Sequence, residues 1–149
     1  MKESYRTYFE YNFEMNTRYI RFFESEKNEG DFHLKEMSHI LKAHKLWLER
    51  INGESITQDF WSIISFREMK KLNIKLLEST LEKIEKTDLS QTIIYSNSKG
   101  VRFKNKIEDI FFHLINHSNY HRARAANYFR EQNIIPPNSD FIYYVRESI

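Results

Sequence analysis

The chain has no cysteine among its 149 residues, which excludes disulfide frameworks, thiolate metal sites and cysteine nucleophiles. His, Asp and Glu remain as the strong metal ligands. Only three Gly and two Pro occur, so there are few points at which a helix must break. Neither sign of charge dominates: 23 Lys and Arg stand against 21 Asp and Glu, a formal net charge of +2. The two signs are interleaved without a basic stripe of the kind that follows phosphates, so no nucleic-acid partner is expected. No apolar run approaches the ~20 residues of a transmembrane helix, and none at the N-terminus resembles a signal peptide. The expectation is therefore no membrane partner and a cytoplasmic location.

What the chain does have is aromatic residues, 12 Phe, 9 Tyr and 2 Trp, set among charges at helical spacing. The length predicts one domain over residues 1–149, large enough to bury about two thirds of its unfolded surface without a metal or disulfide staple. A first helix is predicted from about Ser4 to Ser25, with Tyr8, Tyr11, Met15, Tyr19, Phe22 and Phe23 three and four residues apart. Turn composition follows over Glu26 to Asp31. A second helix runs from about Leu34 to Asn52, where Gly53 stops it. Its apolar face carries Met37, Ile40, Leu41, His44, Trp47, Leu48 and Ile51, with His39 on the flank. A third helix is drawn from about Ser62 to Lys86, starting its apolar series at Ile63 and Phe66. Residues 92–103 alternate β-branched and aromatic side chains around a Ser-Lys-Gly turn, which predicts a small hairpin or extended loop. Asn105 is expected to open the fourth helix in a capping box with Glu108, and that helix should run to about Gln132, before Pro136 and Pro137. Four long amphipathic helices predict an all-α four-helix bundle, a fold that builds metal sites from facing helices.

The fourth helix holds the densest chemistry, HLINHSNYHR over residues 113–122. His113, His117 and His121 are four apart, and such positions share one helix face with a drift of only roughly 40° per step. Neighbouring pairs of these rings can converge on one divalent ion, since imidazole is a common ligand for zinc and related metals. A third ligand must come from another helix, and among the histidines the candidates are His33, His39 and His44.

Two segments, HILKAHKLWLERI from His39 and DIFFHLINHSNYHR from Asp109, resemble in order and spacing the DinB (damage-inducible, YfiT-like) family. The opening YNFEMNTR from Tyr11, the YSNSKG from Tyr95 and the Pro136-Pro137 ending with Asp140 resemble that family's pattern as well, so the likeness covers nearly the whole chain. The resemblance implies a four-helix bundle, usually a homodimer, in which three histidines hold a divalent metal. Position by position these fall on His39, His117 and His121. His113 matches a frequent family histidine that is not a ligand, and His44 stands where the family often has an acid. Where the family commonly reads His-Arg-Gly-Gln, this chain reads His121, Arg122, Ala123 and Arg124, so an amide is replaced by a guanidinium.

Three imidazoles leave a coordination position open, the pattern of a catalytic rather than a closed site. The metal identity is open on this reasoning, with Zn or Ni foremost and Fe or Mn also suited. Relatives include thiol-dependent S-transferases and a mycothiol-dependent isomerase, so the resemblance implies activation of a low-molecular-weight thiol, or of water in a hydrolase, with a small-molecule substrate. The alternative is a non-enzymatic, dimeric metal-binding protein of stress response. No catalytic residue is singled out. His113, Asn116, Tyr120 and Arg122 are expected to support the ligands or line a pocket, with Arg122 either a binder of a substrate carboxylate or a surface or ion-pairing residue.

Overall fold

In a computed structural model of the chain, which describes residues 1–26, 29–54, 59–97 and 99–148, the protein is mostly helical with one small sheet. The elements are α1 (Lys2–Glu26), α2 (Phe32–Ile51), α3 (Phe66–Lys86), β1 (Thr92–Ser96), β2 (Arg102–Lys106), α4 (Ile107–Arg130) and α5 (Phe141–Val145). Helix α1 packs chiefly on α3 and α2 on α4, with α2 also meeting α3 and α1 meeting α4. Among the described residues no helix is long and apolar enough to cross a membrane. Of the predicted first turn, residues 27 and 28 lie outside the described residues, as does Ser98 of the hairpin turn.

The core is built from the apolar stripes that these helices turn inward. Phe9 of α1 meets Phe111 of α4 edge to face at 5.1 Å, and Phe23 stacks on Phe129 at 5.5 Å. Met37, Leu41, Met69 and Leu114 fill the space between the rings and are fully buried. Burial of each such side chain contributes about 1.5–3 kcal/mol. On α1 the buried stripe includes Phe9, Asn12 and Asn16, whereas Tyr8 is only partly covered. The hairpin pairs Thr92 with Lys106 through Ser96 with Arg102 in antiparallel register. Its turn is closed by Asn97, whose Oδ1 accepts from the amides of Lys99 and Val101, and Gly100 supplies the positive φ of 76°. Gly53, at φ 77°, ends α2 in the same way.

Three helix ends differ from the expectation. Helix α3 starts at Phe66, four residues later than predicted, because Ser65 and Glu68 form a capping box that supplies the first amides with acceptors. The segment before it is held extended by α2: Lys42 Nζ donates to the Ser62 carbonyl at 2.7 Å and to its hydroxyl, and Ser38 Oγ accepts from the Ile64 amide at 3.1 Å. Ile63 consequently points outward. Asn105 does not cap α4. It lies in β2 opposite Ile93 and accepts from the Tyr95 hydroxyl at 2.8 Å. The first amides of α4, from Ile107 and Glu108, instead donate to the carbonyls of Gln91 and Leu89, so loop backbone takes the role foreseen for a side chain. At its other end α4 stops at Arg130, where Asn133 turns left-handed at φ 60° and the Ile134 amide reaches back to the Phe129 carbonyl.

His44 belongs to this core. It is fully enclosed and its Nε2 lies 2.9 Å from Thr80 Oγ1, whose own proton goes to the Leu76 carbonyl. The Thr80 oxygen therefore accepts, and His44 is neutral with its proton on Nε2. Burial pushes its pKa down to about 4. Because the folded value lies below the unfolded value of roughly 6.5, its contribution is complete above pH 6.5 and is lost as pH falls toward 4. Between pH 7 and pH 5 this amounts to about 2 kcal/mol. In His44→Gln, which keeps a donor for Thr80, urea unfolding at the two pH values should show an acid sensitivity smaller by that amount. An unchanged pH dependence would show that another group carries it.

Candidate metal centre

The flank of α2 and the histidine face of α4 lie against each other, and this contact brings together residues 78 and 82 positions apart in sequence. His39, His117 and His121 each offer a ring nitrogen within 4.8 Å of the other two. The ring centroids of His39 lie 4.9 Å from His117 and 4.6 Å from His121, and those of His117 and His121 are 4.4 Å apart. The Nε2 atoms of His39 and His117 are separated by 3.1 Å. Two nitrogens sharing a tetrahedral zinc at bonds of 2.0–2.1 Å would stand about 3.4 Å apart, so small ring adjustments suffice.

Hydrogen bonds orient two of the rings. Glu36, one helical turn before His39 and fully buried, places Oε2 2.6 Å from His121 Nδ1. A carboxylate accepts, so Nδ1 carries a proton and Nε2 is the nitrogen left available to a metal. The Phe60 carbonyl, 3.3 Å from His39 Nδ1, sets the same tautomer there. His117 Nδ1 is buried without a hydrogen-bond partner among the described residues. Burial, followed by the neighbouring rings of His121, His39 and His113, pushes the His117 pKa down to about 3. Burial, and then His121, lowers that of His39 as well. Neutral imidazoles with free lone pairs at one point are the donor set that a divalent cation requires.

Arg124 approaches Glu36 Oε1 at 3.4 Å and lies over the rings of Phe32 and Tyr120 at 5.4 and 5.7 Å. The guanidinium that stands where the family commonly has an amide is thus a counter-charge to the carboxylate that orients His121. Trp61 stacks on His39 at 4.0 Å with the rings 6° from parallel, while keeping half its own surface exposed. It is delivered by the loop that Lys42 grips.

Of the other residues singled out from sequence, His113 stands beside the cluster, 5.5 Å from the His117 ring and 5.6 Å from Trp47. Tyr120 is exposed and meets His121 edge to face at 5.1 Å. Asn116 is exposed and bonds to none of the three rings. His33 is enclosed by Phe23, Tyr128 and Phe129, and His44 by the core, so neither joins the cluster. Arg122 is a correction: it is neither a surface residue nor a pocket residue. It is fully buried toward α1, with Nη1 2.6 Å from both Asn12 Oδ1 and Asn16 Oδ1 and Nη2 2.5 Å from Asn119 Oδ1.

Sequence reasoning missed Glu36 and Trp61. Glu36 carried a signal, since an acid one turn before a histidine lies on the same helix face and can orient a ring. Trp61 carried none, because its place depends on the Lys42 contacts across the fold.

A mostly helical protein with three convergent imidazoles is thus defined, a class able to hold a divalent ion in an all-histidine site. The model of the DinB family matches residues 21–147, and the chain belongs to that family. Among curated proteins nothing matches it.

Proposed function

We propose that the four long helices form the four-helix bundle of the DinB family, and that His39, His117 and His121 hold a divalent metal, Zn or Ni foremost. The protein is then a metal-dependent enzyme that activates a low-molecular-weight thiol, or water, toward a small electrophile. The observation that carries this reading is the convergence of the three rings, with the Nε2 atoms of His39 and His117 3.1 Å apart. A metal on three imidazoles supplies a Lewis acid with a free position, which favours the thiolate or hydroxide form of a ligand at neutral pH. The chain's part is to hold His39 and His117 neutral, to aim His121 through Glu36, and to shield one side of His39 with Trp61. In the S-transfer reaction the thiol sulfur bonds to the electrophilic carbon, the leaving group departs with its electron pair, and the thiol proton passes to solvent. The exposed Phe112 and Tyr120 on α4 support a homodimer.

Cobalt-loaded protein tests the reading by two readouts. Adding 2-mercaptoethanol should produce a saturable thiolate-to-cobalt absorption band, and thiol consumption of 1-chloro-2,4-dinitrobenzene should exceed that with His117→Ala. Stoichiometric cobalt without either signal would sink thiol activation, whereas failure to bind cobalt would sink the site itself.

A further inference from the structure

Arg50 differs from the buried cations Arg122 and Lys42. Arg122 has three amide acceptors and Lys42 has the Asp59 and Ser62 oxygens. Arg50, in the last turn of α2, has its guanidinium 4.6 Å from the Trp47 ring centroid and 4.8 Å from that of Tyr95. Every Asp and Glu of the chain is among the described residues, and none lies within 4.0 Å of it. Burial already lowers its pKa. Two aromatic faces offset part of the desolvation of a guanidinium but supply no hydrogen-bond acceptor for its donors.

Arg50 lines a cavity of about 480 Å³ between the C-terminal end of α2 and the hairpin, a size suited to a small molecule. Arg102 of β2 lines the same cavity, so two cations face one space. Glu54 is the one carboxylate on its wall among the described residues. It accepts from Asn52 Nδ2 at 3.3 Å and pairs with neither arginine. The cavity adjoins the histidine cluster in two ways. Phe60 forms part of its wall and holds His39 Nδ1 through its carbonyl. Tyr95 separates it from a second cavity of about 240 Å³ that reaches His113, the neighbour of His117.

We propose that this cavity is an anion subsite, in which Arg50 and Arg102 take the carboxylate or phosphate of a small molecule whose reactive end is presented at the histidine cluster. The subsite deepens the reading given under Proposed function and rests on it for the second half of that statement. It gives the substrate or co-substrate a class: an anion with an apolar or aromatic body that can lie along Tyr95 and Trp47. Arg50, pre-ordered between two rings, loses little freedom on binding and can offer a planar fork to two oxygens.

The test uses the full-length protein, titrated with succinate and separately with inorganic phosphate at constant ionic strength, with the indole N–H resonances followed by NMR. A Trp61→Phe sample identifies the Trp47 signal. Saturable displacement of the Trp47 resonance is expected with one of the two anions, which also identifies the favoured headgroup. Loss of one charge-assisted contact in Arg50→Gln or Arg102→Gln should weaken that binding about tenfold or more, with metal content unchanged. Arg102 is exposed on a strand, so its variant remains informative if Arg50→Gln does not fold. No displacement with either anion, or variants that bind as the wild type does, would overturn the proposal. Anion binding through Arg50 in a protein that takes up no metal would uphold the subsite and sink the metal centre.

Discussion

His117→Ala is expected to reduce bound divalent metal from one equivalent to a trace, measured by elemental analysis after dialysis against metal-buffered solution. The His117 ring is adjacent to both others, and its Nε2 is the one placed 3.1 Å from that of His39. Removing it leaves two imidazoles and forfeits the chelate formed by residues four apart on α4, a loss of several orders of magnitude in affinity. The parallel variants separate ligands from their supports. His39→Ala should lose metal as completely. His113→Ala, which removes a ring outside the cluster, should retain it. Glu36→Gln keeps an oxygen that can accept from His121 Nδ1 but removes the charge, and should weaken binding by about 10–100-fold. Stoichiometric metal in purified His117→Ala would refute the proposed centre. Retention in His39→Ala alone would move the third ligand elsewhere.

The second large effect lies outside the site. Arg122→Leu is expected to lower the unfolding free energy by about 4 kcal/mol, read from urea midpoints at constant slope. The guanidinium is fully buried and bonds to the Oδ1 atoms of Asn12, Asn16 and Asn119, with the Tyr11 ring 5.7 Å away. Leucine would fill much of the volume but leave the buried Oδ1 atoms of Asn12 and Asn16 without this donor, and each such group costs roughly 1–3 kcal/mol. The cage also couples to the chain's end: the Tyr11 hydroxyl lies 3.1 Å from Asn119 Oδ1 and donates to the Ser139 carbonyl at 2.5 Å, and Tyr19 donates to the Pro137 carbonyl at 2.9 Å. Arg122→Lys should recover only part of the loss, because an ammonium cannot span the three amides in the same geometry. A change below about 1 kcal/mol in Arg122→Leu would show that the amides find other partners. Metal content should stay near wild type in whatever fraction folds, since this side chain faces α1 and the ligands face α2.

Periodicity made the helices legible. The stripes of Met37, Ile40, Leu41 and Leu48, and of Ile110, Phe111 and Leu114, turned inward as their spacing required. The hairpin followed from β-branched alternation around Gly100. Helix ends were less legible, because a cap is chosen by competition. Asn105 has a good capping side chain, but pairing with Ile93 in the hairpin and the hydrogen bond from Tyr95 occupy it, and the carbonyls of Gln91 and Leu89 meet the α4 amides instead. Ser62 and Ile63 could continue a helix by propensity alone, yet Lys42 and Ser38, twenty or more residues earlier, engage that backbone first.

The amino-acid sequence by itself determined the helical segments and the spacing that puts His117 beside His121, because both depend on residues within one or two turns of one another. The tertiary structure decided which further ring meets them. His39, rather than His33 or His44, lies on the part of α2 that faces the α4 histidines, while the other two are enclosed by aromatic and core side chains. It also decided the roles of Glu36, Trp61 and Arg122. A charged or aromatic side chain is exposed, an orienting partner or a buried anchor according to what stands across the helix interface, and that neighbour is set by the packing of elements distant in sequence.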